Sequence, residues 1–137
     1  ILGICRGTQL INVIRGGTLV MDISYHLECQ NYPDNNLKKV FFRKPIKLNR
    51  HSIIHSLFGK DHVKVNSFHT QCVKELGRGL KGTARERVHI IQAIEDSKKN
   101  ILGVQFHPEF MLYRRDCLCV FKWLTNKAKN APKAKRA

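Results

Sequence analysis

The chain opens on an uninterrupted apolar run, Ile1, Leu2, Gly3 and Ile4, with no polar lead-in. A short continuous run of this kind reads as a buried strand. The stretch GTQLINVIRGG after it consists of helix formers and ends in a glycine pair, Gly16 and Gly17, suited to a C-terminal cap. Strand, sharp turn and helix are therefore expected in that order. From residue 18 to about residue 49 the pattern turns irregular, punctuated by Asn31, Pro33, Asp34, Asn35 and Asn36. It predicts a long loop with a short strand at 40–42. Residues 53–58 read as a helical turn, 63–65 as a short strand and 77–82 as a glycine-rich turn. The apolar runs VHIIQAIE and NILGVQF, separated by the polar turn 96–100, predict an antiparallel hairpin. Over 110–129, Leu112, Cys119, Val120, Trp123 and Leu124 alternate with charges at helical spacing, which predicts a closing amphipathic helix.

Composition narrows the class. With 137 residues, 42% of them hydrophobic, the chain has the length of one compact domain. Because its first residues look like the interior of a sheet, a preceding segment is expected. No stretch approaches the roughly 20 apolar residues of a membrane-spanning helix, and the first residues lack the pattern of a signal peptide, so the expectation is a soluble cytoplasmic protein with no membrane partner. The five cysteines, Cys5, Cys29, Cys72, Cys117 and Cys119, lack paired spacing and read as reduced thiols. A net charge of +15 attracts polyanions at low salt. Much of the excess follows Trp123, where Lys127, Lys129, Lys133, Lys135 and Arg136 are interleaved with Ala, Asn and Pro132, the composition of a basic disordered tail over 127–137. The remaining cations lack the interleaved aromatics of a stacking surface, so no specific nucleic-acid binding is expected. His51, His55 and His62 have no Cys or carboxylate at matching ligand spacing, and no metal site is expected. Cys72 and Trp123 read as packed interior.

Two motifs carry chemistry. In G-I-C-R-G-T-Q, residues 3–9, a cysteine stands between the predicted strand and helix with glycine two positions to either side. This is the thiol form of a nucleophile elbow, in which a tight turn lifts the reactive atom clear of the sheet. The positive end of the helix favours thiolate, and the N–H of Arg6 would face the oxygen of a tetrahedral intermediate. Taken alone the motif reads more readily as a buried structural cysteine beside a glycine-rich turn, and it is the second motif that favours the nucleophile. In G-V-Q-F-H-P-E, residues 103–109, an apolar strand ends in a histidine, a proline and a glutamate. Pro108 biases His107 toward extended backbone, where residues two apart project to one side, so Glu109 can hold one imidazole nitrogen while the other faces a thiol on a neighbouring strand.

GICRGTQ followed by GVQFHPE resembles the class I glutamine amidotransferases. Between them VNSFHTQ (65–71), GLKGTARE and IQAIE, with GGTLVMDI after the elbow helix, look most like the γ-glutamyl-γ-aminobutyrate hydrolase branch of that family. The resemblance runs from Ile1 to about Thr125. It implies an α/β fold, the C-terminal portion of an open flavodoxin-like three-layer sheet with an added antiparallel hairpin, over a partial domain 1–126. It implies Cys5 as nucleophile, His107 as general base and acid, and Glu109 as its orienting partner. Arg6 and Gln9 would bind substrate, Gln9 at the glutamyl end, and Ser67, His69 and Gln71 would line the same pocket. Thr70 stands where members usually carry a second histidine, and His69 reads equally as a hydrogen-bonded loop residue.

The implied substrate is a small γ-glutamyl amide, with no cofactor. Absent from the chain are the family's preceding strands and the glycine-rich loop that gives a second oxyanion donor. A truncated frame, a fragment of a longer enzyme and a split gene with its N-terminal half on a separate chain all fit, and open sheet edges also invite a homodimer. Three functions stay open: γ-glutamyl amide hydrolysis through a thioester, the glutaminase subunit of an amidotransferase, and a truncated non-catalytic remnant.

Overall fold

The computed structural model describes residues 1–25, 42–87 and 89–131. Strand β1 (Leu2–Ile4) runs into helix α1 (Arg6–Ile14), as the opening pattern predicts. The glycine pair then ends the helix in a Schellman arrangement. Gly16, at φ 84°, donates its N–H to the Val13 carbonyl at 2.8 Å and Gly17 donates to that of Asn12 at 2.9 Å. Strands β2 (Leu19–Val20), β3 (Arg43–Leu48), β4 (His62–Asn66), β5 (Cys72–Val73), β6 (Lys81–Glu86), β7 (Ile91–Asp96) and β8 (Ile101–Val104) follow, with helix α2 (Ile53–Phe58) between β3 and β4 and helix α3 (Arg115–Lys129) at the end.

Six strands form one sheet in the order β1-β8-β7-β6-β3-β4, and β2 pairs with β5 separately. The β1–β8 pair is parallel and the remaining pairs of the large sheet are antiparallel. Alternation along the strands sends side chains to two layers. On one face Ile94 and Ile91 meet Val73 and Leu80, with Ile11 of α1 packed against them. On the other Ala93, Leu102, Val104 and Phe106 meet Ile54 and Phe58 of α2 and Cys117, Val120 and Trp123 of α3. Helices on both faces of the sheet make the three-layer α/β fold expected from the sequence.

Several expectations are corrected. The loop predicted up to residue 49 contains β3, whose Ile46 and Leu48 are buried while Lys47 between them is exposed. Arg43, Lys44 and Pro45 mask this period-two signal at the strand's start. The start of that loop also holds β2 and a 3-10 turn, Ile23–Tyr25, while residues 26–41, with Cys29 and residues 40 and 41 of the predicted short strand, lie outside the described residues. The glycine-rich turn ends early, because Gly82 belongs to β6 at a register irregularity against β7. The closing helix starts at Arg115, since Pro108 first opens a separate 3-10 turn, Pro108–Met111. At its far end α3 continues through Lys127 and Lys129, so the first three residues assigned to a disordered tail are helical. Residues 132–137 lie outside the described residues. Cys5, Cys117 and Cys119 are free thiols, and Cys72 is buried as expected. Among the described residues no helix is long and apolar enough to cross a membrane.

The two glycines flanking Cys5 differ. A Cβ at Gly3 would stand 2.8 Å from the backbone of both Gly7 and Thr8, whereas one at Gly7 would meet nothing within 4 Å. Close approach of strand and helix thus rests on Gly3, not on Gly7. Gly3→Ala is expected to lower stability by about 1–3 kcal/mol through overpacking against backbone, read as a lower urea midpoint. Gly7→Ala should hold or raise the midpoint, because alanine is the better helix former.

Candidate active site

Cys5 occupies the turn between β1 and α1 with φ 48° and ψ −102°. A non-glycine residue there is strained, at a cost of order 1–3 kcal/mol. The surroundings enforce the conformation. The Cys5 N–H donates to the Val104 carbonyl at 2.8 Å, continuing the β1–β8 ladder. The Thr8 hydroxyl lies between the Val104 carbonyl at 2.7 Å and that of Gly3 at 3.0 Å, pinning the first turn of α1 onto both strands. Arg6 opens α1, its side chain exposed. Backbone N–H groups of a helix's first turn have no intrahelical acceptor.

His107 follows the end of β8. Its N–H donates to Asn66 Oδ1 at 2.8 Å and its carbonyl accepts from Asn66 Nδ2 at 2.7 Å, so one amide from the end of β4 clamps its backbone on both sides. The imidazole Nδ1 stands 2.6 Å from Glu109 Oε1. The expected pair is present, reached by a different route: Glu109 lies in the 3-10 turn after Pro108, not in an extended segment. With Nδ1 engaged by Glu109, Nε2 is left for the sulfur. The hydrogen bond with Cys5 is the largest of the effects that push the His107 pKa up to about 9, against the opposing effect of burial and with help from Glu109. The ring is therefore charged at neutral pH.

Behind the sulfur lies a wall of buried polar groups. Gln105 Nε2 reaches Cys5 Sγ at 3.5 Å. Gln9 Nε2 donates to Gln105 Oε1 at 3.2 Å and to the Gln71 carbonyl at 3.1 Å. That carbonyl also faces His69 Nδ1 at 2.9 Å. A carbonyl can only accept, so Nδ1 carries the proton and Nε2 is the acceptor. This tautomer suits the Ser67 hydroxyl at 3.2 Å and Gln92 Nε2 at 3.1 Å. Gln92 Nε2 also donates to Glu86 Oε1 at 2.6 Å, and Glu86 lies 3.8 Å from Lys44. Burial is the main cause that pulls the His69 pKa down to about 4, and the His107 charge adds to it.

Seven of the eight residues singled out from the sequence are placed by these contacts, while Arg6 only opens α1, with its side chain exposed. Cys5, His107 and Glu109 come together. Gln9, Ser67, His69 and the Gln71 main chain form the adjoining wall, and His69 is buried and fully hydrogen-bonded rather than open. Thr70 points to solvent. Sequence reasoning missed Asn66, Gln92, Gln105 and the rings beside His107. Gln92 and Gln105 left a signal, an amide inside an otherwise apolar strand run, whereas Asn66 left none. Phe68 lies 5.6 Å and Phe110 5.5 Å from the imidazole, centre to centre. A cavity of about 550 Å³ lies elsewhere, at the far end of β7, where Ser52, Thr83, Glu95 and Lys98 line it. Among the described residues no group of three His, Cys, Asp or Glu side chains is arranged to hold a metal.

The Peptidase C26 family model matches residues 1–109, and the chain belongs to that family. It is similar to the glutamine amidotransferase-like protein YvdE of Lactococcus lactis, with 38% identity over 80% of this chain and 45% of YvdE. It is similar also to the GMP synthase (glutamine-hydrolyzing) of Brachyspira hyodysenteriae, with 30% identity over 80% of this chain and 18% of the synthase. The chain spans about half the length of the first curated relatives it matches. A glutamine amidotransferase of Thermotoga maritima has the same fold, at TM-score 0.57 and 18% identity over 96% of this chain and 50% of that one.

Proton titration followed by NMR should find the His107 ring titrating near 9 and that of His69 staying neutral down to about 4. A raised native pKa contributes stability that is complete below the unfolded value near 6.5 and is lost as pH rises through 9. For His69 the sign reverses: its contribution is complete above about 6.5 and lost as pH falls through 4. In Cys5→Ala the His107 value should drop toward 6.5, since its largest cause is gone.

Proposed function

We propose that this chain carries the catalytic centre of a γ-glutamyl amide hydrolase, with Cys5 as nucleophile, His107 as acid and base, and Glu109 as the group that orients the ring. The observation that carries the reading is the joining of the three side chains: a strained thiol turn, an imidazole facing it, and a carboxylate 2.6 Å from the far nitrogen. A buried structural cysteine has no need of a positive-φ turn or of a charged imidazole partner.

The chemistry runs in two halves. Cys5 Sγ adds as the thiolate, beside the protonated His107 ring, to the side-chain amide carbonyl, and the oxygen takes up the negative charge near the first-turn N–H groups of α1, that of Arg6 among them. His107 gives its Nε2 proton to the nitrogen, the C–N bond breaks, and the amine leaves behind a γ-glutamyl thioester. Water then adds to the thioester with its proton passing to Nε2, the C–S bond breaks, and glutamate departs. Glu109 stabilises the imidazolium in both halves. Gln9, Ser67 and Gln71 border the acyl side, where the polar glutamyl end would lie. Glutamate formation from γ-glutamyl-GABA and from glutamine tests the reading, with a loss of roughly a thousandfold or more expected in Cys5→Ala and a smaller loss in Glu109→Gln. Equal glutamate release by the wild type and Cys5→Ala would sink it.

The similarity to a glutamine-hydrolyzing GMP synthase supports a second reading, a glutaminase subunit that hands ammonia to a synthetase. That reading expects glutamine to be the best substrate and its hydrolysis to rise when an acceptor domain is added.

A further inference from the structure

We infer that Phe68 and Phe110 form an apolar shelf for the departing amine, and that the amides taken by this site carry an apolar, aryl-sized substituent on the nitrogen. The inference rests on the hydrolase reading above and adds to it the class of leaving group. In the acyl-transfer step the leaving nitrogen must collect its proton from His107, so it must come within hydrogen-bond reach, about 3 Å, of the imidazole. Whatever that nitrogen carries is then delivered to the neighbours of the ring. Those neighbours are aromatic. Phe68 meets the imidazole nearly edge-on, at 73° and 5.6 Å, and Phe110 is tilted to it at 43° and 5.5 Å. The two phenyl rings are 5.4 Å apart, which closes a triangle of rings.

Interior packing accounts for Phe68, which is half-buried. It does not account for Phe110, which is 56% exposed although it sits on the 3-10 turn that carries Glu109. An aromatic ring held beside an imidazole with most of its surface open is placed to cover an apolar group that arrives there. The groups that hydrogen-bond at and next to the sulfur, Gln105, Gln9 and the Gln71 carbonyl, have a contrasting character. The site is thus polar toward the acyl portion and apolar toward the amine. An ammonia leaving group, with no carbon attached, would make no use of the shelf.

The test compares glutamine, the γ-glutamyl amide of methylamine and that of benzylamine, with glutamate release as the readout. The benzyl amide should be preferred over glutamine in kcat/KM, and Phe110→Ala should reduce that preference roughly tenfold, chiefly through KM. Phe110→Leu should retain part of it. A preference that is absent in the wild type, or identical in Phe110→Ala, overturns the inference while leaving the hydrolase reading intact. If no amide is cleaved in a Cys5-dependent way, the hydrolase reading falls, and the shelf is still decided by labelling. Cys5 should react faster with N-benzyl iodoacetamide than with iodoacetamide, by peptide mass mapping, and Phe110→Ala should abolish the difference. Equal rates in the wild type would overturn the shelf.

Discussion

The parallel ladder between β1 and β8 is the constraint on which the site depends. It pairs Leu2 with Leu102, Gly3 with Gly103 and Ile4 with Val104, and the Cys5 N–H extends it to the Val104 carbonyl. Parallel strands point the same way, so the segments that leave them emerge at one edge of the sheet. Here those segments are the Cys5 turn and residues 105–109, which begin a hundred positions apart in the chain. Functional groups of α/β sheets gather at the carboxyl ends of strands for this reason. The ladder in turn needs α1 close to the sheet. A Cβ on Gly103 would stand 2.9 Å from the Thr8 methyl and one on Gly3 would run into the backbone of α1.

Electrostatics divides two histidines that share one neighbourhood. His69 is buried among groups that fix a neutral tautomer, and it loses the ability to take a proton in the physiological range. His107 is less buried, with a thiol on one side and a carboxylate on the other, and holds its proton instead. Burial acts against charge in both. What differs is the partner: a carbonyl and donors for one, acidic groups for the other. The charge on His107 then reinforces the neutrality of His69, so that one ring holds a proton while the other is a fixed part of the buried hydrogen-bond network.

Helix α1 shows what the site imposes on packing. Its inward side carries Thr8, Gln9 and Asn12, all buried, while Leu10, Val13 and Ile14 are exposed. Each inward polar group is satisfied. Thr8 holds the strand ends, Gln9 braces the wall behind the sulfur, and Asn12 bonds the carbonyls of Thr18 and Glu75 and the N–H of Gly77. A buried polar group left without partners would cost a few kcal/mol, so this helix depends on loops far away in sequence to be stable where it lies.

Local chemistry made much of the molecule legible. Cys5 between a strand and a helix, His107 before Pro108, and Glu109 two positions on were readable because each relation spans few residues and depends on turn geometry. The hairpin of β7 and β8 was readable because both strands are apolar runs around a polar turn. Strand β3 was not, since Arg43, Lys44 and Pro45 look like a loop until β4 and β6 supply hydrogen bonds on either side. Asn66 gave no sign of its role, because a clamp on the His107 backbone exists only once β4 has reached that end of the sheet. The order of Cys5, His107 and Glu109 and the turns that carry them were thus written in the sequence. Their distances, the charge on each imidazole and the polar groups beside the sulfur were decided by tertiary structure, because hydrogen bonding and burial depend on groups that only the folded sheet brings together.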